Sequence, residues 1–210
     1  MKPLPLNPIR VIKLGGSLLE LPDLTARLRD WLPRQSQMLN LCVVGGGRPV
    51  QRIKDNSRSV DSSATHWECI RRMDRHAISL SQTSQDWRFI ESLNSLPFVP
   101  STTLNFFKTE QWLRNTITCL PESWDVTSDS IAAVLARFLD AHELILLKST
   151  LPPIETKLTQ LMDIEFVDRH FKTAVTSTAS DQLTYVNRIK FVNFRDDNFA
   201  EQILRWPQTD

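Results

Sequence analysis

Where this chain places glycine limits what it can fold into more than any other feature. Its 210 residues contain five glycines, all in two clusters, Gly15-Gly16 and Gly45-Gly46-Gly47. Average usage, roughly 7%, would give about three times as many. Each cluster ends a short apolar run: Val11-Ile12-Lys13-Leu14 leads into the first, and Leu41-Cys42-Val43-Val44 into the second. Glycine kept only at strand ends marks tight turns, where a loop without Cβ atoms can present bare N–H groups to an anion. Open α/β sheets bind ligands at the carboxyl ends of their strands. The two loops therefore predict a small-molecule site between them.

Composition narrows the classes of partner. The chain is 41% hydrophobic and 23% charged, as ordinary globular proteins are, and long enough for a sizeable core. A net charge of +1 supplies no basic face, so no nucleic-acid partner is expected. No apolar stretch approaches the roughly 18 residues of a membrane span, so no membrane role is expected. Met1–Pro8 carries three prolines and no apolar run of the signal-peptide kind. Cys42, Cys69 and Cys119, odd in number and widely spaced, fit a reducing, cytoplasmic setting better than a disulfide framework.

Hydrophobic periodicity predicts buried strands over Ile9–Leu14, Leu39–Val44, Glu143–Lys148 and Arg188–Phe194. It predicts helices over Asp23–Leu32, Arg48–Ser57, Ser62–Leu80 and Ile131–Leu139, the last preceded by the capping residues Thr127-Ser128-Asp129. Asp163–Val175 reads as partly helical, and Asp197–Trp206 as a closing amphipathic helix. Residues 85–120, with Pro97 and Pro100 and scattered aromatics, read as a loop-rich lid or a substrate-facing region. Strands alternating with helices predict an α/β fold with a largely parallel sheet.

Three charged residues stand where charge is unexpected. Lys13 lies inside an apolar strand two residues before the first glycine turn. It either snorkels at the sheet end or joins the glycine amides around a phosphate, to which a mobile point charge is suited. Lys148, followed by Ser149 and Thr150, repeats the pattern and has the same two readings. Asp129 either caps a helix or holds both lysines by charge-assisted hydrogen bonds. Two lysines flanking a transferring phosphoryl group would neutralise its charge. Arg48, after the triple glycine, is either a solvated first-turn residue or a partner for an anionic substrate group. His66, Cys69 and His76 share one helical stretch but match no metal-ligand spacing, so no metal held by protein side chains is expected. The motifs of P-loop, dinucleotide-binding and nucleophile-elbow enzymes are absent.

Val11-Ile12-Lys13-Leu14-Gly15-Gly16-Ser17 resembles the opening strand and loop of the amino acid kinase superfamily, which includes aspartate, acetylglutamate and uridylate kinases. Val43-Val44-Gly45-Gly46-Gly47 resembles its second glycine loop. Thr127-Ser128-Asp129-Ser130-Ile131-Ala132-Ala133 resembles its later helix start, and Leu146-Leu147-Lys148-Ser149 the strand that follows. The segments 64–73 and 124–130 look like a small branch that includes the (aminomethyl)furanyl-methyl phosphate kinase of methanofuran biosynthesis, a pathway of one-carbon metabolism.

The resemblance implies a three-layer αβα sandwich in one domain, residues 1–210, with a substrate-side lobe over about 1–125 and a short nucleotide-side lobe over about 126–210. It implies ATP with Mg2+ and phosphoryl transfer to a carboxylate or phosphate of a small-molecule substrate. Lys13, Asp129 and Lys148 would be catalytic. Gly15, Gly16, Ser17, Lys148 and Ser149 would bind the nucleotide, and Gly45, Gly46, Gly47 and Arg48 the acceptor. It also implies a homo-oligomer. Two departures keep a second reading open, a non-catalytic binding or scaffolding member of the fold: Lys148-Ser149-Thr150-Leu151-Pro152-Pro153 stands where the family carries a glycine-containing loop, and no glycine follows Gly47.

Overall fold

The computed structural model describes residues 8–56, 63–98, 100, 103–117, 120–154, 156–176 and 188–205. Its centre is a seven-stranded sheet. Six strands run parallel: β1 (Ile9–Leu14), β2 (Leu39–Val44), β3 (Arg88–Ile90), β4 (Leu104–Phe107), β5 (Glu143–Lys148) and β6 (Arg188–Asn193). A seventh, β7 (Glu201–Arg205), pairs antiparallel with β6, and the order is β3-β4-β2-β1-β5-β6-β7. The runs Ile9–Leu14, Leu39–Val44 and Glu143–Lys148 do not alternate between apolar and polar because helices cover both faces, as parallel sheets require.

The helices are α1 (Leu24–Trp31), α2 (Gly47–Asn56), α3 (Ser63–Ser81), α4 (Thr109–Thr116), α5 (Ser128–Phe138), α6 (Leu158–Asp163) and α7 (Phe171–Thr176). Two cores result, one on each face of the sheet. On one, Val11, Leu41, Leu144, Leu146 and Phe191 pack against α5 and α7. On the other, Ile12, Cys42, Ile145 and Val192 pack against Leu24, Leu28 and Trp31 of α1. Helix α5 lies over β1, β2 and β5, and Ala132, Ala133 and Ala136, all fully buried, let its backbone come close. Each large apolar side chain withdrawn from water here contributes about 1.5–3 kcal/mol.

Two expectations are corrected. The described residues of 85–120 do not form a loop-rich lid: among them β3, β4 and α4 extend the sheet and cover it. The four residues of β4 are buried on both faces, so they show no alternation to read, and Pro97 and Pro100 lie outside the strands. The closing segment is a strand rather than a helix. Phe199 has a positive φ of 52° that ends the preceding turn, and Glu201–Arg205 then forms an edge strand with Ile203 41% exposed. The partly helical stretch 163–175 resolves into the end of α6, a connecting segment and α7, with Glu165 at φ 54° breaking the helix. Ser57, Ser62, Cys119 and Trp206 lie outside the described residues.

Candidate active site

The carboxyl ends of β1, β2 and β5 bring the two glycine loops into contact. A Cβ on Gly16 would stand 2.4 Å from the Gly47 nitrogen, and one on Gly45 would stand 2.5 Å from the Gly16 nitrogen. Only backbone fits there, which is why glycine collects at these positions. Gly47 has in addition a φ of 60°, a conformation that side chains disfavour. The Gly15 N–H donates to the Leu147 carbonyl (3.0 Å) and the Gly45 N–H to the Leu14 carbonyl (2.8 Å), tying both loops to neighbouring strands. Among the described residues, the amides of Gly16, Ser17 and Gly46 donate to no protein acceptor. The Ser17 and Ser149 hydroxyls, 2.7 Å apart, link the first loop to the turn after β5.

Beside the first loop, the three charged residues meet. Lys13 and Lys148 leave β1 and β5 on the face covered by α5, and Asp129 lies in the first turn of that helix. Lys13 Nζ sits 2.9 Å from Asp129 Oδ1, and Lys148 Nζ donates to Asp129 Oδ2 at 2.7 Å. All three are buried or nearly so. Burial alone would raise the Asp129 carboxyl, but the two ammonium groups hold it at about 2. Burial and the charge of Lys13 push Lys148 down to about 8 against the pull of Asp129. Two cations share this one carboxylate, and Asp168 adds a further negative charge near Lys148.

Two cavities meet near the start of α5: Asp129 and Lys148 line one, Ser128 the other, and Trp124 and Thr127 line both. The larger, about 410 Å³, is polar and reaches Asp129, Lys148, Lys54 and Phe166. The smaller, about 70 Å³, is mostly apolar and lies under the second glycine loop between Gly46, Val50, His66, Cys69 and Ile131. Burial lowers the His66 imidazole and raises the Cys69 thiol, so both stand there neutral near pH 7.

Arg48 lies elsewhere: it is exposed and donates to both carboxylate oxygens of Glu20, bridging the two glycine loops on their outer side. Sequence reasoning missed the segment 166–170. The Phe166 carbonyl accepts from Lys148 Nζ at 2.8 Å. Asp168 Oδ2 accepts from the Thr127 N–H (2.8 Å), the Thr127 hydroxyl (2.8 Å) and the Ser130 N–H (3.0 Å), while Oδ1 accepts from the Ser130 hydroxyl. Asp168 thus caps α5 from outside, beside Thr127, whose hydroxyl accepts from the Asp129 N–H. A cap supplied 38 or more residues downstream has no local sequence signature. His76 Nδ1 lies 3.2 Å from the Gly45 carbonyl, against the back of the second loop.

No family model matches the chain, and no curated protein matches it significantly. Solved structures do. UMP kinase from Ureaplasma parvum aligns over 91% of this chain and 92% of its own, with a TM-score of 0.55 and 11% identity. Uridylate kinase from Archaeoglobus fulgidus aligns over 79% and 85%, with a TM-score of 0.52 and 17% identity. N-acetylglutamate synthase from Neisseria gonorrhoeae, solved with coenzyme A and L-arginine, aligns over 91% of this chain but 57% of its own, with a TM-score of 0.57 and 13% identity. At these identities the likeness is one of fold, and the fold is the amino acid kinase-like one.

Proposed function

We propose that this chain is an ATP-dependent small-molecule kinase, transferring the γ-phosphoryl group to a carboxylate or phosphate of its acceptor. One observation carries the reading: Asp129 holds Lys13 and Lys148 together beside a polar cavity and near an apolar one, next to unpaired glycine-loop amides. Phosphoryl transfer asks a protein chiefly for positioning and for positive charge on the equatorial oxygens. Lys13 and the Gly16 and Ser17 amides would bear on the transferring group, Lys148 and Ser149 on the nucleotide, and Gly46 with the apolar cavity on the acceptor. The fold shared with two UMP kinases supports the reading.

The residues fit Mg2+ only in company with the nucleotide. Asp129 is committed to two lysines, and among the described residues no cluster of three His, Cys, Asp or Glu side chains could hold a metal. The ion would arrive on the phosphates, whose charge it neutralises. An acceptor from methanofuran-linked one-carbon metabolism rests on the resemblance of segments 64–73 and 124–130, the two-lobe division and a homo-oligomer on the wider family resemblance, and a cytoplasmic setting on the number and spacing of Cys42, Cys69 and Cys119. No helix among the described residues is long and apolar enough to cross a membrane.

A second reading, a non-catalytic ligand-binding or scaffolding member of the fold, is favoured by one feature: Lys148 already donates to both Asp129 and the Phe166 carbonyl. Calorimetry of Mg-ATP with wild type and Lys13→Ala, followed by ATP consumption across carboxylate and monophosphate acceptors, separates the two. Saturable binding weakened about tenfold or more by the substitution, with turnover, is the expected result. Binding without turnover on any acceptor establishes the second reading, and no binding by the folded wild type refutes the kinase.

A further inference from the structure

Asp168 makes four hydrogen bonds to two residues of the α5 start, and two residues earlier the Phe166 carbonyl holds Lys148. A single three-residue span therefore grips both partners of the Asp129–Lys148 contact, the helix turn that carries the acid and the ammonium itself. Two further contacts fix the span. The His170 N–H donates to the Asp125 carbonyl (3.0 Å), and the Phe166 ring lies 5.2 Å from Lys148 Nζ. All four partners of Asp168 are donors, so the ionised carboxylate is the form that the site satisfies.

We infer that Asp168 is a positioning residue of the candidate active site: through α5 and the Phe166 carbonyl it sets the placement and charge of Lys148 for an incoming phosphate. The inference rests on the kinase reading for its phosphate, but its geometry stands without it. Lys148 faces Asp129 on α5, Lys13 on β1 and Asp168 on the span, and the same cavity is lined by Lys54, Asp125, Glu165 and Arg169. Of these, Asp129 and Asp168 raise the Lys148 ammonium, and Lys13 lowers it. Neutralising Asp168 therefore lowers it further.

The molecule contains its own control. Asp74 on α3 caps α4 in the same manner, accepting from the Thr109 N–H and hydroxyl (both 2.8 Å) and the Glu110 N–H (3.1 Å), but it has no contact with Lys148. The experiment follows the Lys148 side-chain resonance through a pH titration of lysine-labelled full-length protein, the signal being assigned by its loss in Lys148→Arg. Wild type, Asp168→Asn and Asp74→Asn are compared, each with its Tm and its Mg-ATP affinity. Both Asn variants are expected to melt lower. Only Asp168→Asn is expected to lower the Lys148 midpoint, by about half a pH unit or more, and to weaken Mg-ATP binding about tenfold.

If Asp168→Asn is too unstable to titrate, Ser130→Ala frees one carboxylate oxygen without removing the charge, and a smaller, upward shift of the Lys148 midpoint is expected, with weaker Mg-ATP binding. A Lys148 midpoint that moves no more than in Asp74→Asn, or an unchanged nucleotide affinity, overturns the inference. If wild type binds no nucleotide, the kinase reading falls and the Lys148 midpoint alone decides the role of Asp168.

Discussion

Strand β1 carries two buried cations, and they live differently. Arg10 lies at its amino end on the α1 face, and Lys13 at its carboxyl end on the α5 face. Four of the five Arg10 donors are used: Nε donates to Glu143 (2.5 Å), Nη1 to Asn40 (2.8 Å) and the Ser36 carbonyl, and Nη2 to the Ser36 hydroxyl. The other oxygen of Glu143 lies 3.6 Å from Arg188. That network is closed and has no cavity beside it among those described. At the other end two lysines share one carboxylate next to about 410 Å³ of open space. Burial by itself therefore does not mark function. What separates the two networks is completeness: Arg10 and Glu143 are surrounded by protein partners, whereas two ammonium groups share one carboxylate beside open space.

Breaking the closed network should give the largest effect on stability. Arg10→Met strands the Glu143 carboxylate and is expected to cost about 3–5 kcal/mol in denaturant unfolding. Nucleotide affinity per folded molecule should stay unchanged. An affinity loss of the same size would erase the contrast between the two ends.

Gly16→Ala sharpens the contrast from the other side. The added methyl meets Gly47 backbone and forces the two loops apart, costing about 1–3 kcal/mol by the overpacking rule. Here ligand affinity should fall together with stability, measured by calorimetry and thermal melting on one sample.

The third effect is a divergence with pH. The Lys148 ammonium lies below its ordinary 10.5, at about 8, so between those values the folded chain binds fewer protons than the unfolded one. Stability should rise with pH across that window, while phosphate binding, which needs the ammonium, should weaken about tenfold one unit above the midpoint. The sign is opposite for Asp129. Its carboxyl lies below 3.8 in the folded chain, so its stabilising share is present above pH 3.8 and is lost as pH falls toward about 2. The smallest effect belongs to the exposed pair Arg34–Asp30 on the surface, where Asp30→Asn should change stability by about 0.5 kcal/mol or less.

Much of this is legible in the sequence. Strands covered on both faces appear as unbroken apolar runs, so β1, β2 and β5 were plain, and with them the positions of Lys13 and Lys148. Asp129 was legible because capping residues precede a clear apolar stripe. The rest was hidden for physical reasons. β4 shows no alternation when both its faces are buried. β7 has too few residues to distinguish a two-residue period from a helical one. Nothing local in the sequence pairs Arg10 with Glu143, because register alone puts them side by side. Asp168 acts across some 40 residues of chain on backbone N–H groups, which every residue but proline has.

The contact between the glycine loops also sets a length. Side chains bend and rotate to absorb small misfits, but two backbones in van der Waals contact leave nothing to compress. The spacing between the first loop, beside the transferring phosphate in the proposed reaction, and the second, beside the acceptor, is therefore the least adjustable dimension of the site. It is fixed by the missing methyl groups at Gly16 and Gly45. In the proposed reaction, reshaping the apolar cavity would change the acceptor, but the gap that the phosphoryl group would cross could not lengthen without the loss of these glycines.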